Sequence, residues 1–568
     1  MTATSMRAWS PLSAVHARIT RGALLAIPVA FVTVFFAYPV IAIVGRGLFP
    51  DGTLDLGPLG DVVTDGGLRD VIWFTCWQAA VSTGLTVLVA LPGAAVLARY
   101  RFPGRRLLWA AITVPFVLPT VVVGAAFRSL LGTGGPLGGL ELDQSVAAIL
   151  IAHVFFNYAV VARTVGGLWA HLDPRQEEAA RVLGASRWQA FRSVTLPALR
   201  PAIAAAASIV FLFTFASFGV VLILGGPRYA TLEVEIYRQT VALLNLPLAA
   251  ALTIVQLVAV VALLLVSSRL EGRSAGALRL RAAAEVLRRP RGWAQRSFVL
   301  ANLAVMALLL GVPIAVLVER SFSTGSGGYG LGAYRALGEL RRGTALFVPP
   351  VEAIANSLLF ATAATVIALV VGGLAASALA LRRSRRDRVG RPGRAAASGV
   401  ETLLMLPLGV SAVTVGFGFL VALDEPPLDL RGSPVLIPIA HAVVAVPFVV
   451  RVMTPVLRSI DDRLRESAAV LGASPARVWR EVDLPIVARA ALVAAGFAFA
   501  ISLGEFGATV FIARPDYPTL PIVIFRLLGQ PGSVNFGAAM AASTILMALT
   551  ATAVLAIERF RVGTVGQF

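Results

Sequence analysis

Three ionisable side chains lie inside long apolar stretches, where such a group is costly and marks either a function or a fully bonded site. Glu505 sits in AISLGEFGATVF, His153 in AILIAHVFFNYAV and His441 in LIPIAHAVVAVPF. A carboxylate at that depth can meet a cation or its water, or it can accept hydrogen bonds that stabilise a helix near the outer surface. The histidines occupy matching places in a repeat, which predicts one structural hydrogen-bonding role for both. Other chemistries are excluded by what is missing. All 49 Lys+Arg residues are arginine. A G-x-x-x-x-G-K-[ST] phosphate loop is therefore impossible, because its lysine reaches the terminal phosphates. Cys76 is the only cysteine, so neither an internal disulfide nor a cysteine-clustered metal site can form. No H-E-x-x-H zinc pair and no paired intramembrane carboxylates are present. The chain is expected to hold no catalytic residue, metal or cofactor of its own.

The elements around these residues are membrane spans. The chain is 568 residues long and 57% hydrophobic, with mean hydropathy +0.82, too apolar for a soluble protein. Apolar stretches long enough to cross a bilayer run over 24–45, 73–98, 107–130, 145–168, 200–224 and 247–267. They continue over 297–318, 354–381, 398–421, 433–456, 488–512 and 533–557. The expected fold is all-α and integral to the membrane, with about twelve spans. The first stretch is too long for a signal-peptide core and reads as an uncleaved span. The net charge of +19 invites a nucleic-acid reading, but the arginines fall in alternate loops, as the positive-inside rule produces. Arg7, Arg18 and Arg21 precede the first span, Arg99 to Arg106 follow the second, and Arg269 to Arg296 and Arg382 to Arg394 form further basic loops. Both termini are therefore expected to be cytoplasmic.

The two halves of the chain repeat one another. EEAARVLGASRWQAFRSVTLP (177–197) returns as RESAAVLGASPARVWREVDLP (465–485), 288 positions later. Ala152-His153, Arg163 and Phe218-Gly219 match Ala440-His441, Arg451 and Phe506-Gly507 at the same offset. Pro115 and Gly124 match Pro407 and Gly416 at an offset of 292. The expected organisation is a cytoplasmic N-terminus 1–23, a first lobe 24–267 and a basic cytoplasmic linker 268–296. A second lobe 297–557 and a cytoplasmic tail 558–568 follow. Six spans per lobe, both starting inside, give lobes of one orientation related by an axis along the membrane normal.

Both repeated loops, 173–197 and 461–485, read as two helices joined by a glycine. Asp173 and Pro174 suit a helix start. Gly184 and Gly472 suit a left-handed helix end, and Ser186 and Ser474 begin the next helix. A lone amphipathic pair could lie on headgroups or under its own spans. Two copies on one face of a duplicated bundle fit a docking surface for a two-fold partner.

These loops resemble the EAA loop of permease subunits of binding-protein-dependent ABC importers. Copy one has Glu178, Ala179, Ala180, Gly184, Leu196 and Pro197; copy two has Glu466, Ala468, Gly472, Leu484 and Pro485, departing at Ser467. The resemblance covers nearly the whole chain. It implies that each loop is a coupling helix on a separate ATPase, that two ATP-binding subunits carry ATP and Mg, and that a soluble binding protein delivers substrate. The chain would be a multi-pass protein of the bacterial inner membrane, contacting lipid and no nucleic acid. A secondary transporter is the rival class, and a single clear intramembrane carboxylate is too little for its ion relay.

The substrate path is expected along two special segments, with Ser217, Gly219, Glu505 and Gly507 beside it. Gly219 and Gly507 are expected to bend or interrupt their spans. Phe215 to Phe218, Leu224 to Pro227, Thr231, Glu233 and Ile236-Tyr237 resemble the thiamine branch of these permeases, as does Ser502 to Gly507. Two well-kept EAA loops resemble the ferric-iron branch instead. Thiamine or a related cation is the favoured substrate, ferric iron the alternative, and molybdate- or sulfate-type anions come after.

Overall fold

The computed structural model describes residues 24–49, 52–272, 286–324, 328–340, 346–383, 403–424 and 428–560. The expected N-terminal segment 1–23, residues 273–285 of the linker, most of the basic loop after the eighth span and the end of the tail lie outside them.

Among the described residues, ten helices are long and apolar enough to cross a membrane, and two sharply bent pairs bring the number to twelve. The first lobe contains α1 (Leu24–Leu48), α2 (Gly66–Arg99), the bent pair α3 (Arg105–Val117) and α4 (Thr120–Leu131), and α5 (Val146–Trp169). It continues with α6 (Arg175–Val182), α7 (Arg187–Phe215), α8 (Gly219–Leu224), α9 (Leu232–Tyr237) and α10 (Leu246–Gly272). The second lobe contains α11 (Gly292–Phe322), α12 (Glu352–Arg383), the bent pair α13 (Leu403–Gly409) and α14 (Ala412–Ala422), and α15 (Leu436–Ser459). It ends with α16 (Asp462–Val470), α17 (Ala476–Gly504), α18 (Thr509–Ile512), α19 (Leu520–Leu528) and α20 (Ser533–Phe560). The bends are 99° at Leu118-Pro119 and 111° at Val410-Ser411. Every span is helical because a bilayer offers backbone amides no partner but the chain itself.

Three helices form the heart of each lobe: α2, α5 and α7 in the first, α12, α15 and α17 in the second. Lipid tails are as apolar as leucine, so the helices are held by close van der Waals packing through small residues. Gly93 on α2 faces the Tyr158 hydroxyl of α5 where a Cβ would sit, and a Cβ on Gly372 of α12 would lie 2.8 Å from Val449 of α15.

The lobes clasp each other through their first helices. α1 packs on α10 of its own lobe and on α14 of the other, and α11 packs on α20 of its own lobe and on α4 of the other. Gly418 lets α1 close on α14, since a Cβ there would stand 2.9 Å from Pro39. The linker's visible end is stitched to the first lobe, with Arg288 N donating to Arg99 O at 3.0 Å and Arg101 N donating to Arg288 O at 2.9 Å.

Two boundaries differ from the sequence reading. The fifth and eleventh spans are expected over 200–224 and 488–512, bent or interrupted at Gly219 and Gly507. The chain instead leaves the helix at Ala216 and at Glu505 and resumes as the short helices α8 and α18. An apolar run extends through both breaks, so hydropathy alone cannot register them. The second helix of each repeated loop is not separate either, because α7 and α17 run on from the loop into the membrane.

Candidate functional site

The breaks in α7–α8 and α17–α18 face each other across the lobe interface. Each is secured by the matching histidine. His153 lies 3.0 Å through Nδ1 from Ser82 Oγ and 2.8 Å through Nε2 from Ser217 Oγ. His441 lies 2.7 Å through Nδ1 from Ser502 Oγ and 2.8 Å through Nε2 from Thr509 Oγ1. A buried imidazole bonded at both nitrogens is a structural pin, placed here in both lobes.

Glu505 is buried and bonded locally. Its Oε1 accepts from Ala508 N at 2.8 Å, and its Oε2 accepts from Thr509 N at 3.0 Å and Thr509 Oγ1 at 2.6 Å. His441 Nε2 lies 3.3 Å from the same oxygen. The carboxylate thus caps the donors exposed where α17 stops and α18 starts.

Gly219 and Gly507 flank these breaks for a steric reason. Neither has a positive φ. A Cβ on Gly219 would strike Thr120 Oγ1, and one on Gly507 would lie 3.2 Å from Ala412 Cβ. Thr120 and Ala412 begin α4 and α14, so each break is nested against the bend of its own lobe. Gly504 approaches the other lobe, where its Cβ would lie 3.2 Å from Pro119.

Aromatic rings fill the space between the breaks. Phe218 and Phe506 stack at 5.4 Å; Tyr237 meets Phe218 at 5.5 Å and Phe511 at 5.7 Å; Phe525 meets Phe506 at 5.3 Å. The helices carrying the last rings are held alike: Leu232 N donates to Thr75 Oγ1 at 3.0 Å and Leu520 N to Ser357 Oγ at 2.8 Å. The arrangement is an apolar seal of packed rings between the two breaks. In the sequence Phe218 and Phe506 stand out as a matched pair and as members of the thiamine-like segments, with no sign that they touch.

The repeated loops stand at one end of the bundle. α6 and α16 each stop at a glycine with positive φ, +97° at Gly184 and +84° at Gly472. Ala185 N then donates to Ala180 O, and Ala473 N to Ala468 O, both at 3.0–3.1 Å. Ser186 and Gln189 form a reciprocal capping box. Glu178 and Glu466 are exposed, while Leu196-Pro197 and Leu484-Pro485 begin the straight parts of α7 and α17 after one wide helical turn. The tips of the loops are apolar and bare: Val182, Leu183, Val470 and Leu471 are each 87% exposed. The signal was there, since Val-Leu-Gly-Ala-Ser is identical in both copies and its first two residues are apolar in a polar loop.

Each loop is tied to its own lobe at matching positions but with reversed polarity. Glu177 Oε2 accepts from Thr195 Oγ1 at 3.2 Å and pairs with Arg99 at 3.2 Å. At the equivalent places Arg465 Nε donates to Asp483 Oδ1 at 2.9 Å.

Comparison with known proteins agrees with this geometry. Residues 90–274 match the family of the binding-protein-dependent transport system inner membrane component. The chain is 27% identical over 559 residues to the probable ABC transporter permease protein y4fN of Sinorhizobium fredii, covering 94% of this chain and 95% of that one. It is 29% identical over 493 residues to the thiamine transport system permease protein ThiP of Escherichia coli, covering 83% and 86%. A 172-residue stretch is 36% identical to the sulfate transport system permease protein CysT of Escherichia coli, covering 29% and 62%. The chain is a multi-pass membrane permease of the binding-protein-dependent ABC importers. Within that class it is the kind in which two lobes are fused in one chain.

Proposed function

We propose that this permease carries a small organic cation, thiamine or a close relative, into the cell, driven by two ATPase subunits that grip the repeated loops. The observation that carries the coupling half is the pair of Val-Leu tips. Apolar side chains standing clear of a polar loop at equivalent places mark a contact surface for a partner. Val182-Leu183 and Val470-Leu471 would seat in two copies of one ATPase, which binds ATP and Mg. Glu178, Ala179, Ala180, Gly184, Leu196 and Pro197, with Glu466, Ala468, Gly472, Leu484 and Pro485, shape and aim those tips. The arginine-rich loops support a cytoplasmic position for that end and for both termini. α7 and α17 then run away from it, so the aromatic seal lies toward the outer face. The path passes between Ser217-Gly219 and Glu505-Gly507 once that seal parts, and a binding protein delivers substrate above it.

The thiamine assignment is supported by relatives that match over most of the chain, whereas the sulfate permease matches under a third of it. Proteoliposomes holding the permease, its ATPase and its binding protein should accumulate labelled thiamine only with ATP. Accumulation of ferric citrate or sulfate instead would overturn the substrate, and uptake without ATP that follows an ion gradient would overturn the coupling.

A further inference from the structure

Glu233 is a buried carboxylate that neither the seal nor the coupling loops use. It sits on α9 and is 1% exposed. Its Oε1 accepts from Gln256 Nε2 of α10 at 2.6 Å. It also faces the Ser411 hydroxyl, which belongs to the other lobe and caps the start of α14. Both partners are neutral. A carboxylate withdrawn from water with only neutral partners is costly to keep.

The site is one-sided. The matching positions on the other side of the axis are Pro521, Thr544 and Pro119, which carry no charge. The two histidine pins, by contrast, occur on both sides. The polar pocket is also incompletely bonded: Gln256 Oε1 is buried without a partner, and Gln256 is 2% exposed.

Glu233 stands beside the aromatic cluster. Tyr237 is one helical turn further along α9, on the same face, and its ring meets Phe218, Phe511 and Phe525. Ser411 reaches Glu233 from the opposite lobe, so separation of the lobes removes that cover and leaves the carboxylate next to the parted rings. Aromatic faces attract cations, and a carboxylate supplies a full counter-charge.

We propose that Glu233 is the cation-recognition group of the path and acts with the Tyr237, Phe218 and Phe525 rings on a flat organic cation. The proposal rests on the importer reading above and adds which residue selects the charge.

The test compares wild type, Glu233→Gln and Glu233→Asp in the reconstituted transporter, with labelled thiamine and an uncharged analogue whose quaternary ring nitrogen is replaced by carbon. Glutamine keeps the shape and one acceptor oxygen but removes the charge. Thiamine uptake by Glu233→Gln should fall about tenfold or more, the scale of losing one charged hydrogen bond. Uptake of the uncharged analogue and binding-protein-stimulated ATP hydrolysis should stay near wild type, and Glu233→Asp should keep its preference for thiamine. If Glu233→Gln does not accumulate in the membrane, Tyr237→Leu carries the same comparison and should lose thiamine selectively. Equal thiamine uptake by Glu233→Gln and wild type overturns the proposal. So does an equal loss for both compounds, which would make Glu233 a spacer. Either result leaves the importer reading standing. Wild-type uptake of only ferric citrate or sulfate overturns the proposal together with the thiamine assignment, and uptake without ATP that follows an ion gradient overturns the importer reading.

Discussion

Phe218 and Phe506, which hold the same place in the two halves, lie against each other with ring centroids 5.4 Å apart and planes at 21°. Equivalent residues touch only where the two-fold relation between the halves has its axis. Tyr237 and Phe525 are a second such pair, at 6.5 Å. The axis therefore runs through aromatic rings, which pack the lobes together there.

Shortening either stacked ring should weaken that closure. Phe218→Ala and Phe506→Ala are each expected to leak small solutes from sealed proteoliposomes without ATP. Because the two side chains share one contact, the double variant should leak little more than either single one. Additive leaks would mean that the rings close separate routes.

The Val-Leu tips should govern ATPase attachment. Leu183→Glu and Leu471→Glu place a charge where an apolar contact is needed, and each should weaken co-purification of the ATPase by about tenfold or more, the scale of a central interface residue. Membrane insertion should be unaffected, since both side chains are 87% exposed. Gly184→Val should act on the same readout through the backbone. The left-handed conformation at +97° costs a β-branched residue roughly 1–2 kcal/mol, although nothing crowds the position.

Reversed polarity in the loop ties gives a charge-swap experiment. Arg465 also pairs with Asp462 at 2.7 Å, so Arg465→Glu sets three acids together at 462, 465 and 483 and should lower the ATP-driven transport rate while leaving the amount of assembled complex unchanged. Arg465→Glu combined with Asp483→Arg restores an opposite pair and should recover most of that rate. A double variant as slow as the single one would show that the tie does not position the loop.

Glu505 should matter first for the helix break. Glu505→Ala leaves Ala508 N and Thr509 N buried without their acceptor, a loss of roughly 1–3 kcal/mol for each unsatisfied group. A clear drop in thermal midpoint is expected, read on the detergent-solubilised protein. An unchanged midpoint would free the carboxylate for another task.

The sequence made the spans legible because a bilayer imposes length and apolarity, and the repeat made the two lobes legible because it holds register across both. The ends of α6 and α16 were legible for a local reason: Gly184 and Gly472 are demanded by the backbone conformation. The breaks at Ala216 and Glu505 were harder. Gly219 and Gly507 drew notice, yet they serve close packing against the bends at Thr120 and Ala412, which only the tertiary arrangement defines. The continuity of the loop helices with α7 and α17 was hidden because polar loop and apolar span share one helix. Phe218, Tyr237, Phe506 and Phe525 look like ordinary apolar residues until the two halves are brought together. Glu233 was visible only as one letter in a family-like stretch, because its partner Ser411 lies in the other lobe.

The most direct test of the account is whether the seal at the axis opens when the loops are driven. Cys76 is the single cysteine, so Cys76→Ser gives a clean background for spin labels at Tyr229→Cys and Tyr517→Cys, equivalent sites beyond the two breaks. In the complete complex with ATPase and binding protein, trapping ATP should lengthen the distance between the labels relative to the nucleotide-free state. Leu183→Glu should abolish that change. A distance that stays the same on ATP binding, in a complex that transports, would contradict the claim that the repeated loops open the path between Phe218 and Phe506.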